Sequence, residues 1–232
     1  MPELVEHGIW LEEGRHILLG IDPDPVTYGL GKAAKKGDRQ SLALLTGANS
    51  GGKTTLLECL AYASILAHMG LPVPAKKARI GTVESLHILA KAGGTQSAGA
   101  LEQTLIELAS VVSDDTPKLI LADELEAITE PGAGARIIGG MLLAAESQMD
   151  TTMMLVTHLA PAIIEATERD DLRVDGIEAR GLGEDLELVV DRTPRRNYLA
   201  RSTPELILRR LERKTTGSIQ NVFSSILARF ES

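Results

Sequence analysis

The chain has 232 residues, of which 44% are hydrophobic, and a formal net charge of −8 at pH 7. This length predicts one sizeable core, and the acidic balance excludes a surface that binds nucleic acid throughout, because phosphate binding needs clustered Lys and Arg. The single cysteine, Cys59, excludes a disulfide within the chain and reads as a core thiol. Neither an apolar run of about 18 residues nor a basic signal-like start is present, which predicts a cytoplasmic protein without membrane segments.

A glycine-rich loop is the first element with a chemical signature. The apolar run at 41–46 predicts a strand, the sequence GANSGGKTT follows, and apolar residues recur at helical spacing from Leu56. The loop fits the pattern G-x-x-x-x-G-K-[ST], in which backbone N–H groups wrap phosphates, Lys53 reaches the β and γ phosphates, and Thr54 ligates Mg²⁺. The predicted nucleotide-contacting residues are those of the whole loop: Gly47, Ala48, Asn49, Ser50, Gly51, Gly52, Lys53, Thr54 and Thr55.

Strands and helices alternate in the middle of the chain. Residues 119–122 and 153–156 read as buried strands, separated by a helix-like stretch over 133–147. Such alternation predicts a mostly parallel sheet with crossover helices. The fold class that follows is α/β, a P-loop NTPase whose sheet is flanked by helices.

Later segments depart from this alternation. The pattern over 174–191 predicts an added β-hairpin that turns near 181–184, and two C-terminal helices are predicted over 203–213 and 218–230. The predicted organisation has three parts: N-terminal strands (1–40), the P-loop core (41–191) and a C-terminal helical segment (192–232).

Basic residues are concentrated late in the chain. Bases outnumber acids from Arg192 to Lys214, whereas acids outnumber bases from Glu102 to Asp191. A solvated helix face is the simpler reading of the basic run. A local contact to nucleic acid or to an acidic partner is the alternative.

Two acidic residues follow a predicted strand in LILADE. Asp123 would lie at the carboxyl end of that strand, where a carboxylate can hold the Mg²⁺ shell, and Glu124 can polarise the attacking water as general base. His158 follows the next strand, in MMLVTH, where an imidazole can hydrogen-bond the γ-phosphate. An Asp-Glu pair after a strand is often a solvated turn, but the preceding phosphate loop favours catalysis. We therefore expect Lys53, Glu124 and His158 to be catalytic, and Thr54 and Asp123 to bind the metal.

Ser97 lies where a glycine-rich stretch leads into an apolar-periodic helix. A serine there is most simply an N-cap. The free N–H groups of a helix start also attract anions, so the two roles are compatible.

These motifs together resemble the ATPase domain of the MutS family of DNA mismatch-repair and recombination proteins. TGANSGGKTT is similar to the family's TGPNMGGKST loop, with Ala48 in place of its proline. LPVPAKKARIG resembles its VPA-containing strand entry, and Ser97 with Glu102 resembles the serine and glutamate of STFxxE. LILADEL resembles its Walker B segment, LVTHLAP resembles its ATHY segment, and GRH at 14–16 resembles the GRHP that opens the domain.

The resemblance implies an ABC-like ATPase that binds ATP/ADP and Mg²⁺ and hydrolyses ATP. It implies a head-to-tail homodimer with composite sites, each joining the phosphate loop of one subunit to Ser97 of the other, and DNA contacts through domains missing from this chain. The segment EAITEPG is closer to divergent MutS relatives, so mismatch recognition is not expected. Val26 and Ile177 fall where the family places the side chains that flank adenine, so we expect aliphatic base contacts and weak base selectivity.

Two other functions stay open. An ATPase subunit of an ABC transporter or of a chromosome-maintenance complex would share the sheet and the dimer, but it should carry an LSGGQ-like signature shortly before the Walker B segment. A nucleotide-gated dimerisation module with little hydrolysis would share the loop, although Glu124 and His158 speak against it. Phosphate release by the isolated domain separates an enzyme from such a module.

Overall fold

The computed structural model describes residues 1–35, 40–48, 51–90, 98–125, 130–148, 150–200 and 204–230. The strands are β1 (Glu3–Val5), β2 (Ile9–Gly14), β3 (Val26–Leu30), β4 (Leu42–Gly47), β5 (Lys77–Gly81), β6 (Ser85–Ala90), β7 (Lys118–Asp123), β8 (Thr151–Val156), β9 (Val174–Ile177), β10 (Ala179–Leu182) and β11 (Leu188–Val190). The helices are α1 (Lys53–His68), α2 (Ala98–Ser113), α3 (Pro131–Ser147), α4 (Ala160–Thr167), α5 (Pro204–Lys214) and α6 (Gly217–Leu227). None of the helices in these ranges combines the length and the apolar character that a membrane crossing needs.

The largest sheet has five parallel strands in the order β6-β7-β8-β4-β9. Its inner strands, β7, β8 and β4, are buried along almost their whole length because helices cover both faces. In β4, Ala43 and Leu45 pack in the core cluster that contains α1, whereas Leu42 and Leu44 pack on the opposite face with α3. The structure therefore confirms the predicted α/β fold, a P-loop ATPase-like parallel sheet flanked by helices.

A second sheet, of mixed direction, has the order β1-β5-β2-β3. It pairs β2 antiparallel with both β3 and β5, and it pairs β1 parallel with β5. Its apolar residues, such as Ile9 and Ile80, share one core cluster with α1 and with the larger sheet. The helix α1 is accordingly buried between the two sheets, which explains why apolar residues surround it rather than forming one stripe.

The predicted hairpin over 174–191 is wrong in its first part. Residues Val174–Ile177 form β9, which pairs parallel with β4 at the edge of the larger sheet and is buried along its length. The hairpin is confined to β10 and β11, with a turn in which the Gly183 N–H donates to the Glu187 carbonyl at 2.8 Å. Alternating residues do not distinguish an edge strand followed by a short hairpin from one longer hairpin.

A buried carboxylate joins the two sheets. Asp175 in β9 is fully buried, and its Oδ2 accepts hydrogen bonds from the Tyr28 hydroxyl at 2.7 Å and from Arg173 Nε at 2.9 Å. Its Oδ1 accepts from the Asn197 backbone N–H at 3.2 Å. Arg173 is only 3% exposed, so this pair is an ion pair shielded from water. The network links β3 of the mixed sheet, β9 of the parallel sheet and the segment that follows the hairpin.

We expect Asp175→Ala to lower the free energy of unfolding by about 3–5 kcal/mol, because the buried Arg173 guanidinium would lose the carboxylate that pairs with it. Urea-induced unfolding of the purified chain measures this change. The matched control is Asp171→Ala, since Asp171 pairs with Arg169 at the surface with 70% of its side chain exposed. Such exposed pairs contribute only about 0–1 kcal/mol. Equal losses in the two variants would contradict the role assigned to the buried pair.

Candidate active site

The predicted catalytic residues meet at one edge of the parallel sheet. Strand β8 lies between β4 and β7, and in that register Val156 is level with both Leu45 and Asp123. Because the strands are parallel, the residues that follow their carboxyl ends converge on the same edge. The phosphate loop after β4, the acidic pair at the end of β7 and His158 after β8 are brought together in this way.

The loop after β4 turns tightly against β9. Gly47 has a φ of 130°, and a Cβ on it would lie 2.0 Å from the Ile177 carbonyl oxygen. A Cβ on Gly51 would lie 2.9 Å from the Ala48 carbonyl oxygen and 3.0 Å from Ile177 Cγ2. Only glycine fits these positions, and glycine lets the backbone turn as tightly as a phosphate cradle requires. The predicted contacts Asn49 and Ser50 lie outside the described residues.

Lys53 is the first residue of α1, directly after Gly52 with its φ of 87°. Its side chain is 4% exposed, and its Nζ donates to the carbonyl oxygens of Gly47 at 2.8 Å and Ala48 at 3.0 Å. These bonds hold the ammonium group inside the loop, next to the amides at the start of the helix. A positive charge and a helix N-terminus therefore coincide, and this combination suits a phosphate chain.

Thr54 and Asp123 form the candidate metal position. The Thr54 hydroxyl donates to Asp123 Oδ2 at 2.6 Å, which places one hydroxyl and one carboxylate oxygen side by side. Among the described residues, no group of three or more His, Cys, Asp or Glu side chains is placed to hold a metal ion. This donor set fits Mg²⁺, which commonly takes one or two protein oxygens and completes its shell with water and phosphate oxygens.

Glu124 and His158 form a second pair at the same edge. His158 Nε2 lies 3.0 Å from Glu124 Oε1, and each side chain is 35% exposed. Glu124 has a left-handed backbone with a φ of 49°, and its N–H donates to the Val156 carbonyl at 3.0 Å. The carboxylate is thus held by its neighbour and is still accessible to water, as a general base must be.

A small cleft, about 30 Å³ in volume, opens beside the loop, next to Gly52 and Thr55. Val26, at the start of β3, lines this cleft. Ile177 is fully buried beneath the loop glycines and packs in the core. Of the two predicted base contacts, one therefore lies in the cleft and one beneath the loop, and contact of either with a base stays a prediction. Ser97, predicted to act from a partner subunit, lies outside the described residues.

His16 also lines the cleft, and only the resemblance at 14–16 pointed to it. Its Nδ1 accepts from the Leu18 N–H at 3.2 Å, so the proton of the neutral ring is on Nε2, which lies 3.0 Å from Glu58 Oε2. The ring packs edge-on against Tyr62 with centroids 5.3 Å apart. These contacts tie the segment between β2 and β3 to α1.

Cys59 also lines the cleft, from α1, one helical turn after Thr55. Burial raises the pKa of its thiol to about 11. The thiol therefore stays protonated at neutral pH and behaves as a small apolar side chain. The prediction of a core thiol is confirmed.

Many bases of the late basic run have acidic partners. The ion pairs are Arg192 with Asp24 at 3.3 Å, Arg195 with Glu178 at 2.8 Å, Lys214 with Glu187 at 3.5 Å, and Arg210 with the same Glu187. Glu178 and Glu187 belong to the hairpin region and offset the charge of the run. This pairing favours the reading of a solvated, charge-compensated surface over a nucleic-acid footprint.

Comparison with known proteins gives consistent matches. Residues 43–191 match the sequence profile of MutS domain V. The chain is 43% identical over 232 residues to the DNA-binding protein MutS2 of Pyrococcus furiosus, covering 99% of this chain and 41% of that protein. It is 35% identical over 173 residues to the mitochondrial DNA mismatch repair protein MSH1 of Arabidopsis thaliana, covering 68% of this chain and 15% of that protein. It is 32% identical over 168 residues to the endonuclease MutS2 of Gemmatimonas aurantiaca, covering 69% of this chain and 20% of that protein. The chain thus spans 41% or less of the length of these relatives.

The loop geometry yields a test. Gly47→Ala should lower the free energy of unfolding by more than about 1 kcal/mol, because the new Cβ meets β9 and a left-handed φ disfavours alanine, and it should weaken binding of a labelled ATP. Gly140→Ala is the control, since Gly140 lies in α3 with open space around its Cα. It should instead be stabilising, by up to about 1 kcal/mol. Similar effects of the two substitutions on folding and binding would show that the close approach at Gly47 does not matter.

Proposed function

Because the chain belongs to the MutS family through the ATPase domain that these proteins share, we propose that it binds and hydrolyses Mg²⁺·ATP as the motor part of a DNA-repair or recombination protein. The observation that carries this proposal is the meeting of three elements at one sheet edge. They are Lys53 in the loop, the Thr54 and Asp123 pair, and the Glu124 and His158 pair.

Binding rests on the loop and on Lys53. The backbone between Gly47 and Gly52 would surround the β-phosphate, and Lys53 would exchange its carbonyl partners for the β and γ phosphate oxygens. A charged acceptor makes a stronger hydrogen bond than a carbonyl, so this exchange is favourable. Thr54 and Asp123 would hold Mg²⁺, which when bound supplies positive charge that stabilises the transferring phosphoryl group.

Hydrolysis rests on Glu124. Its carboxylate would accept a proton from the attacking water. The water oxygen would form a bond to the γ-phosphorus, and the bond from that phosphorus to the bridging oxygen would break. ADP and phosphate are the products. His158 would first orient the carboxylate through its 3.0 Å contact and would then donate from its ring to the γ-phosphate. Its exposed position at the sheet edge supports both contacts.

Dimerisation completes the proposed site. By resemblance, Ser97 of one subunit would face the γ-phosphate held by the other. The last helix and the segment after it support a homodimer, because α6 exposes Ile219 at 58% and Val222 at 56%, and Phe230 beyond it is exposed at 53%. ATP binding would close the dimer and hydrolysis would open it. The relatives' names include DNA binding and mismatch repair, and DNA would be engaged by other parts of a longer protein.

The rate of ATP hydrolysis distinguishes an enzyme from a nucleotide-gated dimerisation module with little hydrolysis. Glu124→Gln should bind ATP about as well as the unchanged chain and hydrolyse it at least about a hundredfold more slowly, because the amide cannot accept the proton. Phosphate release and binding of a labelled ATP are measured together. Glu165→Gln, an exposed change in α4, is the matched control and should leave both unchanged. Near-normal turnover by Glu124→Gln would mean that another group activates water, with His158 the next candidate.

Subunit mixing tests the shared site. Ser97→Arg and Lys53→Ala subunits should each be inactive alone, because each homodimer lacks one half of every site. Their heterodimer keeps one complete site, with the loop of the first subunit and Ser97 of the second, so mixing should restore part of the ATPase activity. Native mass measurement checks that heterodimers form. Background activity in confirmed heterodimers would exclude the shared site.

A further inference from the structure

The outer rim of the cleft is closed by an ion pair between two distant segments. Arg192 follows β11, and Asp24 lies just before β3. Arg192 Nε lies 3.3 Å from Asp24 Oδ2, and both side chains line the cleft. Their side chains are 53% and 72% exposed. Ion pairs as exposed as this contribute little to stability, so the two groups can separate at low cost.

The position of the cleft indicates what would lie in it. It begins at Gly52 and Thr55, at the start of α1, and extends to Leu19 and Val26. If the loop holds the phosphate chain of a nucleotide, as proposed above, the attached nucleoside has this cleft beside it. Leu19 is 47% exposed and Val26 has 9% of its surface exposed, so the wall on this side is aliphatic.

The described residues that line the cleft include no Phe, Tyr or Trp. His16 is there, but both of its ring nitrogens are engaged, with Leu18 and Glu58, and its ring packs against Tyr62. The remaining planar group is the guanidinium of Arg192. A guanidinium stacks on aromatic faces through its flat shape, which an ammonium group cannot imitate.

We propose that Arg192 contacts the base of the bound nucleotide, leaving Asp24 and laying its guanidinium plane against the purine ring. This inference rests on the proposed nucleotide-binding function. Arg192 then takes the place of an aromatic side chain, with Leu19 and Val26 completing the pocket. Stacking senses the face of the ring and not the hydrogen-bonding groups at its edge. Arg192 therefore favours purines in general and does not select adenine over guanine.

The test compares a nucleotide with a ligand that has phosphates and no base. Dissociation constants are measured for Mg²⁺·ATP and for Mg²⁺·inorganic triphosphate. Arg192→Ala should weaken ATP binding about tenfold, the size of a partly desolvated cation–π contact, and should leave triphosphate binding within about twofold. Arg192→Lys keeps the charge and removes the plane, so it should recover only part of the affinity that the alanine variant loses. Arg180→Ala removes an exposed arginine that pairs with Asp191 outside the cleft, and it should change neither constant.

Each other result overturns the inference. Equal weakening of ATP and triphosphate by Arg192→Ala would mean that Arg192 meets phosphate. Full ATP affinity in Arg192→Lys would mean that the charge of the side chain matters and its planar shape does not. Full ATP affinity in Arg192→Ala would mean that Arg192 makes no contact with the bound nucleotide. Lys53→Ala, measured alongside, separates this inference from the function beneath it. If Lys53→Ala binds neither ligand while Arg192→Ala binds both with unchanged dissociation constants, the result supports nucleotide binding by the loop and excludes the base contact. If Lys53→Ala keeps both ligands, the phosphate loop assignment itself fails.

Discussion

Burial of the Asp175 carboxylate constrains the arrangement of both sheets. A charge removed from water is costly unless its partners satisfy it, and here they come from three places in the chain: Tyr28 in β3, Arg173 before β9 and Asn197 after the hairpin. The backbone of Asp175 is held as well, since its carbonyl accepts from the Thr46 hydroxyl at 3.2 Å. The strand β9 is thereby kept beside β4. Its last residue, Ile177, lies under the loop glycines, so the shape of the glycine-rich loop depends on this buried network.

Packing of the helix α1 between the two sheets fixes the position of the candidate site. The helix is packed between the parallel sheet and the mixed sheet, so its start cannot tilt away from either without exposing core residues such as Leu56 and Leu60. Lys53 and Thr54 are the first residues of that helix, which gives both side chains a rigid support. The segment between β2 and β3, tied to the same helix through His16 and Glu58, forms the opposite wall of the cleft. The loop, the cleft and the candidate metal position are therefore parts of one packed unit.

Local patterns predicted the parallel sheet and the convergence of its functional residues. Asp123 and His158 come together because parallel strands share a carboxyl edge, and that rule needs no long-range information. The mixed sheet was harder to predict, since it pairs Glu3–Val5 with Lys77–Gly81 and no local pattern specifies a partner so far along the chain. The same limit applies to the rim of the cleft, because Arg192 and Asp24, which form an ion pair there, are far apart in the chain. Positions at Ser97, Asn49 and Ser50 rest on the motif alone.

At Glu124, the residue that would be best for folding stability differs from the residue that the proposed chemistry needs. A residue with a side chain in the left-handed region is strained by about 1–3 kcal/mol, and Glu124 is held there with a φ of 49° by its bond to Val156. Glycine or asparagine would relieve that strain. Both substitutions would also remove the carboxylate that faces His158. A selection for heat resistance alone would thus move this chain away from glutamate at position 124, and the gain in folding would be made at the residue on which water activation is proposed to depend.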